Sequence, residues 1–236
     1  MSDTNEDIFE NFDFDAFMVN DYDQILMIVN IWTKMHLLDD FVTEEKLRRF
    51  VALTHHWYRD NPYHNFRHAF DVHQALSCMI TLASPLRELG FNLAQKRSLL
   101  IAALVHDIGH DGLSNTVHIA LDTDLSKKYQ GHLPLEEMHA ELAVQVIQES
   151  QSLSSFTGEI QDAYMLTIEH LILTTAMEEH KVFMHLISKP VPPFGVVYMV
   201  SLMKAADMSS YMREIQVAKK WAAALHTEFI NMGETL

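Results

Sequence analysis

The chain has 236 residues, 48% of them hydrophobic and 21% charged, with only 7 glycines and 6 prolines. So few turn residues argue against a sandwich or barrel of many short strands and for long helices with short connections. A formal charge of −15 excludes a general nucleic-acid-binding surface, because a phosphate backbone would be repelled, yet it admits a small phosphate substrate beside divalent cations.

No Lys or Arg precedes Lys34, and eight acids fall within residues 1–23, the opposite of a secretory signal. Residues 1–8 read as an acidic tail, while the spacing of Phe9, Phe12, Phe14 and Phe17 predicts that the segment docks on the body. Ile25, Ile28, Val29, Trp32 and Met35 mark one helical stripe, and Leu47, Phe50, Val51, Thr54 and Trp57 mark the next. Breaks are expected at Asn61-Pro62, Ser84-Pro85, Asp111-Gly112, Gly131–Pro134, Gly158 and Lys189–Gly195, with Pro62 in a first helical position capped by Asn61. The stretch Leu99 to Val105 is apolar almost all round, which predicts a central buried helix. Residues 139–148, 162–175, 196–206 and 213–232 read as further helices. No stretch approaches the roughly 20 apolar residues that span a bilayer. The single cysteine, Cys78, excludes an intramolecular disulfide framework and fits a reducing compartment. The expectation is one all-α, cytoplasmic unit.

Histidine is the outlier, with 15 against 17 Lys plus Arg. Three stretches place it, or a lone acid, on helices that must be buried. In Asn61-Pro-Tyr-His-Asn-Phe-Arg-His68, His64 and His68 are four apart and would share a helical face. His106-Asp-Ile-Gly-His110 closes the most apolar helix, and Asp207 closes the apolar run from Val196. Desolvating a carboxylate is expensive unless it is paired or bound to metal. Imidazole nitrogen with carboxylate oxygen suits zinc, and carboxylate with water suits magnesium or manganese. Asp107 has two oxygens and can bridge two ions, an arrangement used on phosphate esters. The plain alternative is a set of buried His–Asp hydrogen bonds without metal.

Taken in order, these stretches resemble the catalytic domain of the class I cyclic nucleotide phosphodiesterases. Asn61 to Val72 looks like that family's signature opening, and Ala103 to Asn115 matches its metal-binding helix end. Leu135-Glu-Glu-Met-His139 resembles its Leu-Glu-Asn-His-His element, Ala205-Ala-Asp-Met-Ser209 its last metal-ligand segment, and Asn11 to Phe17 a short N-terminal motif. The resemblance implies a compact multi-helix HD-type domain over residues 9–236, holding a tight zinc and a looser magnesium or manganese. His68, His106, Asp107 and Asp207 would bind the zinc, with Asp107 also reaching the second ion. His64 would protonate the leaving 3′ oxygen of cAMP or cGMP. His110, Asn115, Glu136, His139 and Thr175 would order waters and phosphate, while Tyr63 and Met177 would line the nucleotide pocket.

Four departures stand out. Ala176 replaces the acid of the family's Ala-Thr-Asp-Met segment, Ser210 replaces an asparagine, and Met138 replaces a histidine. The family's further helices, with a purine-binding glutamine and a stacking phenylalanine worth about 1–3 kcal/mol, have no counterpart before Leu236. Hydrolysis of cyclic nucleotides is therefore expected, alongside two rivals: a metal- or nucleotide-binding regulatory domain, and an HD-type hydrolase of another phosphate ester.

Overall fold

The computed structural model describes residues 11–82, 90–188 and 195–235. The acidic tail, Phe9, the expected break at Ser84-Pro85 and most of that at 189–195 lie outside them. The described residues form eleven α-helices and two 3-10 turns, and none forms a strand. In chain order the helices are α1 (Asp21–Lys34), α2 (Glu44–Trp57), α3 (Phe66–Leu82), α4 (Leu93–Val105), α5 (Asn115–Ala120) and α6 (Asp124–Lys128). They continue with α7 (Pro134–Ser150), α8 (Glu159–Leu173), α9 (His180–Ile187), α10 (Val196–Asp207) and α11 (Ile215–Thr235). The 3-10 turns are Ala16–Met18 and Met208–Met212.

The all-round apolar stretch is the axis of the fold. Every residue of α4 from Arg97 to Val105 is buried. It packs on α3 and α8, and α10 lies against α3. Arg97 is tolerated inside because its guanidinium meets Asp39 at 2.7 Å and Leu37 O at 2.9 Å. The N-terminal aromatics dock as expected, with Phe14 edge-on to Phe70 at 5.7 Å and Phe17 against Trp221 at 4.5 Å. Arg213 donates to the Phe12 carbonyl. No helix among the described residues is long and apolar enough to cross a membrane.

Two local expectations are corrected. Pro62 does not open a helix, because α3 begins only at Phe66 and Asn65 acts as its cap, its Oδ1 accepting from His68 N at 3.1 Å. The Asn61 side chain is used elsewhere, donating to His64 O at 2.9 Å and His110 O at 2.8 Å. His64 thus sits in a loop and His68 on the first turn of α3, so they share no helical face. Likewise α4 stops at Val105, and Gly109 at φ +79° turns the chain before His110. His64 and His68 approach, with ring centroids 6.0 Å apart, through loop geometry instead of helical repeat.

Gly109 has no room for a side chain: a Cβ there would lie 2.5 Å from Leu142 Cδ1. Gly109→Ala is expected to destabilise the chain by roughly 1–3 kcal/mol, as positive φ in a non-glycine residue does. Urea denaturation measures this, and an unchanged midpoint would refute it.

Candidate active site

Three chain segments end at one point. The first turn of α3 supplies His68, the end of α4 supplies His106 and Asp107, and the end of α10 supplies Asp207. His68 Nε2 lies 3.2 Å from Asp207 Oδ1 and 3.5 Å from Asp107 Oδ2. His106 Nε2 lies 3.1 Å from Asp107 Oδ2 and 3.3 Å from Asp207 Oδ1. Both imidazoles are buried, while Asp207 keeps 25% of its side chain exposed and so opens the cluster to a cavity.

This donor set suits a divalent cation. One ligating atom each from His68, His106 and Asp207 lies within 4.8 Å of the others. His106 Nδ1 is engaged by Ala103 O at 3.0 Å, which fixes the ring so that Nε2 faces the carboxylates. That buried Nε2 makes no hydrogen bond of acceptable geometry, and a cation would satisfy it. Burial alone would raise the Asp207 carboxyl, but the His106 and His68 imidazoles beside it hold it far below the usual carboxylate range. Against burial, the Asp107 carboxylate and then that of Asp207 hold the His106 imidazole well above the ordinary histidine value.

His64 stands beside this cluster on its loop, and its partner is Glu228 of α11, a residue the sequence reading did not single out. Glu228 Oε2 accepts from Tyr63 N at 2.8 Å and His64 N at 3.0 Å, and its other oxygen makes a short contact with His64 Nδ1. Burial disfavours the charged imidazole, but the Glu228 hydrogen bond and the Asp107 field outweigh it and raise His64. A signal for Glu228 was present: with Val217 and Trp221 buried on α11, an acid seven residues beyond Trp221 falls on the same inward stripe.

Of the remaining expected residues, all but Tyr63 line one cavity of about 240 Å³ with His64, Asp107 and Asp207. His110 stacks on His64 at 4.0 Å and 14°, and His139 stacks on His110 at 5.7 Å and 17°. Burial keeps both neutral: His110 falls well below its ordinary value, and His139 falls to about 4. Asn115 bridges Leu135 N at 3.0 Å and Glu136 Oε2 at 2.8 Å. Thr175 and the largely exposed Met177 form another wall. Tyr63 is buried, its hydroxyl 3.4 Å from Ser210 Oγ, and it does not line the cavity. His64, His110 and Glu228 also offer three close ligating atoms, but His64 Nδ1 is engaged by Glu228 and His110 Nδ1 accepts from Gly112 N at 3.0 Å. Ala176 is buried, and its carbonyl accepts from Lys204 Nζ at 3.2 Å.

The sequence profile of the 3′5′-cyclic nucleotide phosphodiesterase family matches residues 63–235. Among curated proteins, a Homo sapiens high affinity cGMP-specific 3′,5′-cyclic phosphodiesterase 9A is 30% identical over 94% of this chain and 39% of its own length. The Dictyostelium discoideum 3′,5′-cyclic-nucleotide phosphodiesterase regA is 29% identical over 97% of this chain and 30% of its own. This chain therefore spans less than half the length of these relatives. Among solved structures, the phosphodiesterase domain of Salpingoeca rosetta rhodopsin phosphodiesterase superposes with a TM-score of 0.88 at 25% identity, covering 96% of this chain and 72% of that one. With a profile covering most of the chain and all-α structural neighbours of the same kind, the chain belongs to the 3′,5′-cyclic nucleotide phosphodiesterase family.

Proposed function

We propose that this chain hydrolyses the 3′,5′-cyclic phosphodiester of cAMP or cGMP to the 5′-monophosphate. One observation carries the reading: a cluster of two buried histidines and two partly exposed carboxylates faces the same cavity as a carboxylate-backed histidine. His68, His106, Asp107 and Asp207 would hold a tight zinc, and Asp107 would share a second ion, magnesium or manganese. When bound, such cations neutralise the phosphodiester anion and lower the pKa of water toward about 7. The names of the relatives, which include cGMP-specific and general cyclic-nucleotide enzymes, support this substrate class.

The chain's own residues then divide the work. His64 gives its proton to the 3′ oxygen as the bond to phosphorus breaks. Glu228 holds the ring against the cavity by engaging Nδ1, which leaves Nε2 as the donating atom, and supports the positive charge. Neutral His110 and His139 add hydrogen-bonding capacity without further positive charge. Asn115, Glu136 and Thr175 order the phosphate side of the cavity, and Met177 offers the base an apolar edge. Tyr63 acts from behind, through its backbone bond to Glu228. Residues 9–236 would form one catalytic domain, in a cytoplasmic setting that fits its single, buried Cys78.

A second reading, a binding domain without turnover, draws on Ala176, where an ammonium from Lys204 meets a backbone carbonyl in place of a carboxylate. Bound zinc with no hydrolysis of either cyclic nucleotide would favour it.

His64→Ala is expected to retain zinc and lose about 10²–10⁴ in kcat, the usual worth of a placed general acid. Turnover equal to the parent chain would refute the assignment. Because the folded His64 pKa is raised, its pairing with Glu228 stabilises fully below the unfolded value near 6.5 and fades as pH rises through the folded value. In Glu228→Gln the His64 titration followed by NMR is expected to move to lower pH, taking the alkaline limb of kcat with it. An unmoved titration would separate Glu228 from the proton.

A further inference from the structure

A histidine that ligates through Nε2 carries its proton on Nδ1, and a buried Nδ1–H requires an acceptor. His106 has one in Ala103 O, 3.0 Å away. His68 has none: its Nδ1 is buried and makes no hydrogen bond. Three residues on, one turn along the same face of α3, stands Asp71, itself fully buried. Its Oδ1 is held by Arg213 Nη2 at 2.9 Å, but its Oδ2 is buried with no partner. An orphaned donor position and an orphaned acceptor of opposite character thus lie a helical turn apart, directly behind the cluster.

We propose that Asp71 is a positioning residue for His68: its Oδ2 accepts the Nδ1 proton through one water, and so fixes the Nε2-ligating tautomer. This rests on the reading of His68 as a cation ligand. Arg213 is then part of the device, because it supplies the positive charge that lets a carboxylate persist in this position. Its side chain is wholly buried, and it also ties in the Asp71 and Phe12 carbonyls. The His68 field adds to that of Arg213 in opposing the rise that burial imposes on the Asp71 carboxyl. Asp71 never reaches the cavity, so it acts only through the ring it orients. Ser209 Oγ, on the turn after Asp207, is another buried hydroxyl without a hydrogen-bond partner, and it is the competitor the test must separate.

The test is zinc affinity of the whole chain by competition with a chelating dye, together with ¹⁵N NMR of the His68 ring in the zinc-loaded protein. Asp71→Asn exposes the structural problem of leaving Arg213 unpaired, so the decisive variant is Asp71→Leu with Arg213→Met, since apolar replacement of a buried ion pair is often neutral for folding. With its circular dichroism unchanged, this double variant is expected to bind zinc about 10–100-fold more weakly, the usual effect of removing such a support. In the parent chain the His68 Nδ1 proton is expected to exchange slowly and resonate downfield, and that signal is lost in the double variant. Unchanged zinc affinity in a folded double variant overturns the link while leaving the cation site standing. So does a loss confined to Ser209→Ala. Should the double variant not fold, a rapidly exchanging Nδ1 proton in the parent chain overturns it. Failure of the parent chain to bind zinc removes the cation reading, and the link with it.

Discussion

Two carboxylates brought within 3.5 Å of two buried imidazoles set the terms for the rest of this structure. Withdrawing Asp107 and Asp207 from water is unfavourable unless opposite charge stands close by. The fold meets this by making three helices share one end point. The apolar helix α4 carries His106 and Asp107 to its terminus, where backbone groups are no longer committed to the helix. The start of α3 and the end of α10 deliver His68 and Asp207 to the same place. Gly109 is the hinge of that arrangement, since only a residue without Cβ clears Leu142 while turning the chain toward His110.

A second electrostatic layer surrounds the first and separates proton from cation chemistry. Glu228 favours the charged form of His64 at one side of the cavity, while burial favours the neutral form of His110 and His139 a ring-stack away. Neighbouring imidazoles of the same type are therefore pushed in opposite directions. In the proposed mechanism this gives one cavity an acid for a leaving group beside neutral hydrogen-bonding rings for an anion. Behind the cluster, Asp71 and Arg213 form the corresponding support on the side away from solvent.

The helices were legible because their signals are periodic and local: the all-round apolar run of α4, the stripes of α1 and α2, and the acid closing α10 all survive in three dimensions. His68, His106, Asp107 and Asp207 were legible as a set because buried acids and histidines are rare without a purpose, and their order resembles a known family. What was misread was local geometry. Asn61 has a cap's side chain, yet spends it on two carbonyls across a loop, and no spacing rule reveals a partner 49 residues away. Glu228 was missed for the same reason: its contact with His64 spans 164 residues, and only its place on the inward stripe of α11 hinted at it. Lys204 beneath Ala176 is likewise a contact made by tertiary packing, 28 residues apart.

The central claim is that this cluster is built around a divalent cation and is more than a self-sufficient set of His–Asp hydrogen bonds. The most direct measurement is an anomalous difference map at the zinc edge, from crystals of the chain grown with zinc. The account predicts a strong peak among His68 Nε2, His106 Nε2, Asp107 and Asp207, with both imidazole nitrogens about 2.0–2.1 Å from it. A map without that peak, with the imidazoles still donating to the carboxylates, would contradict it.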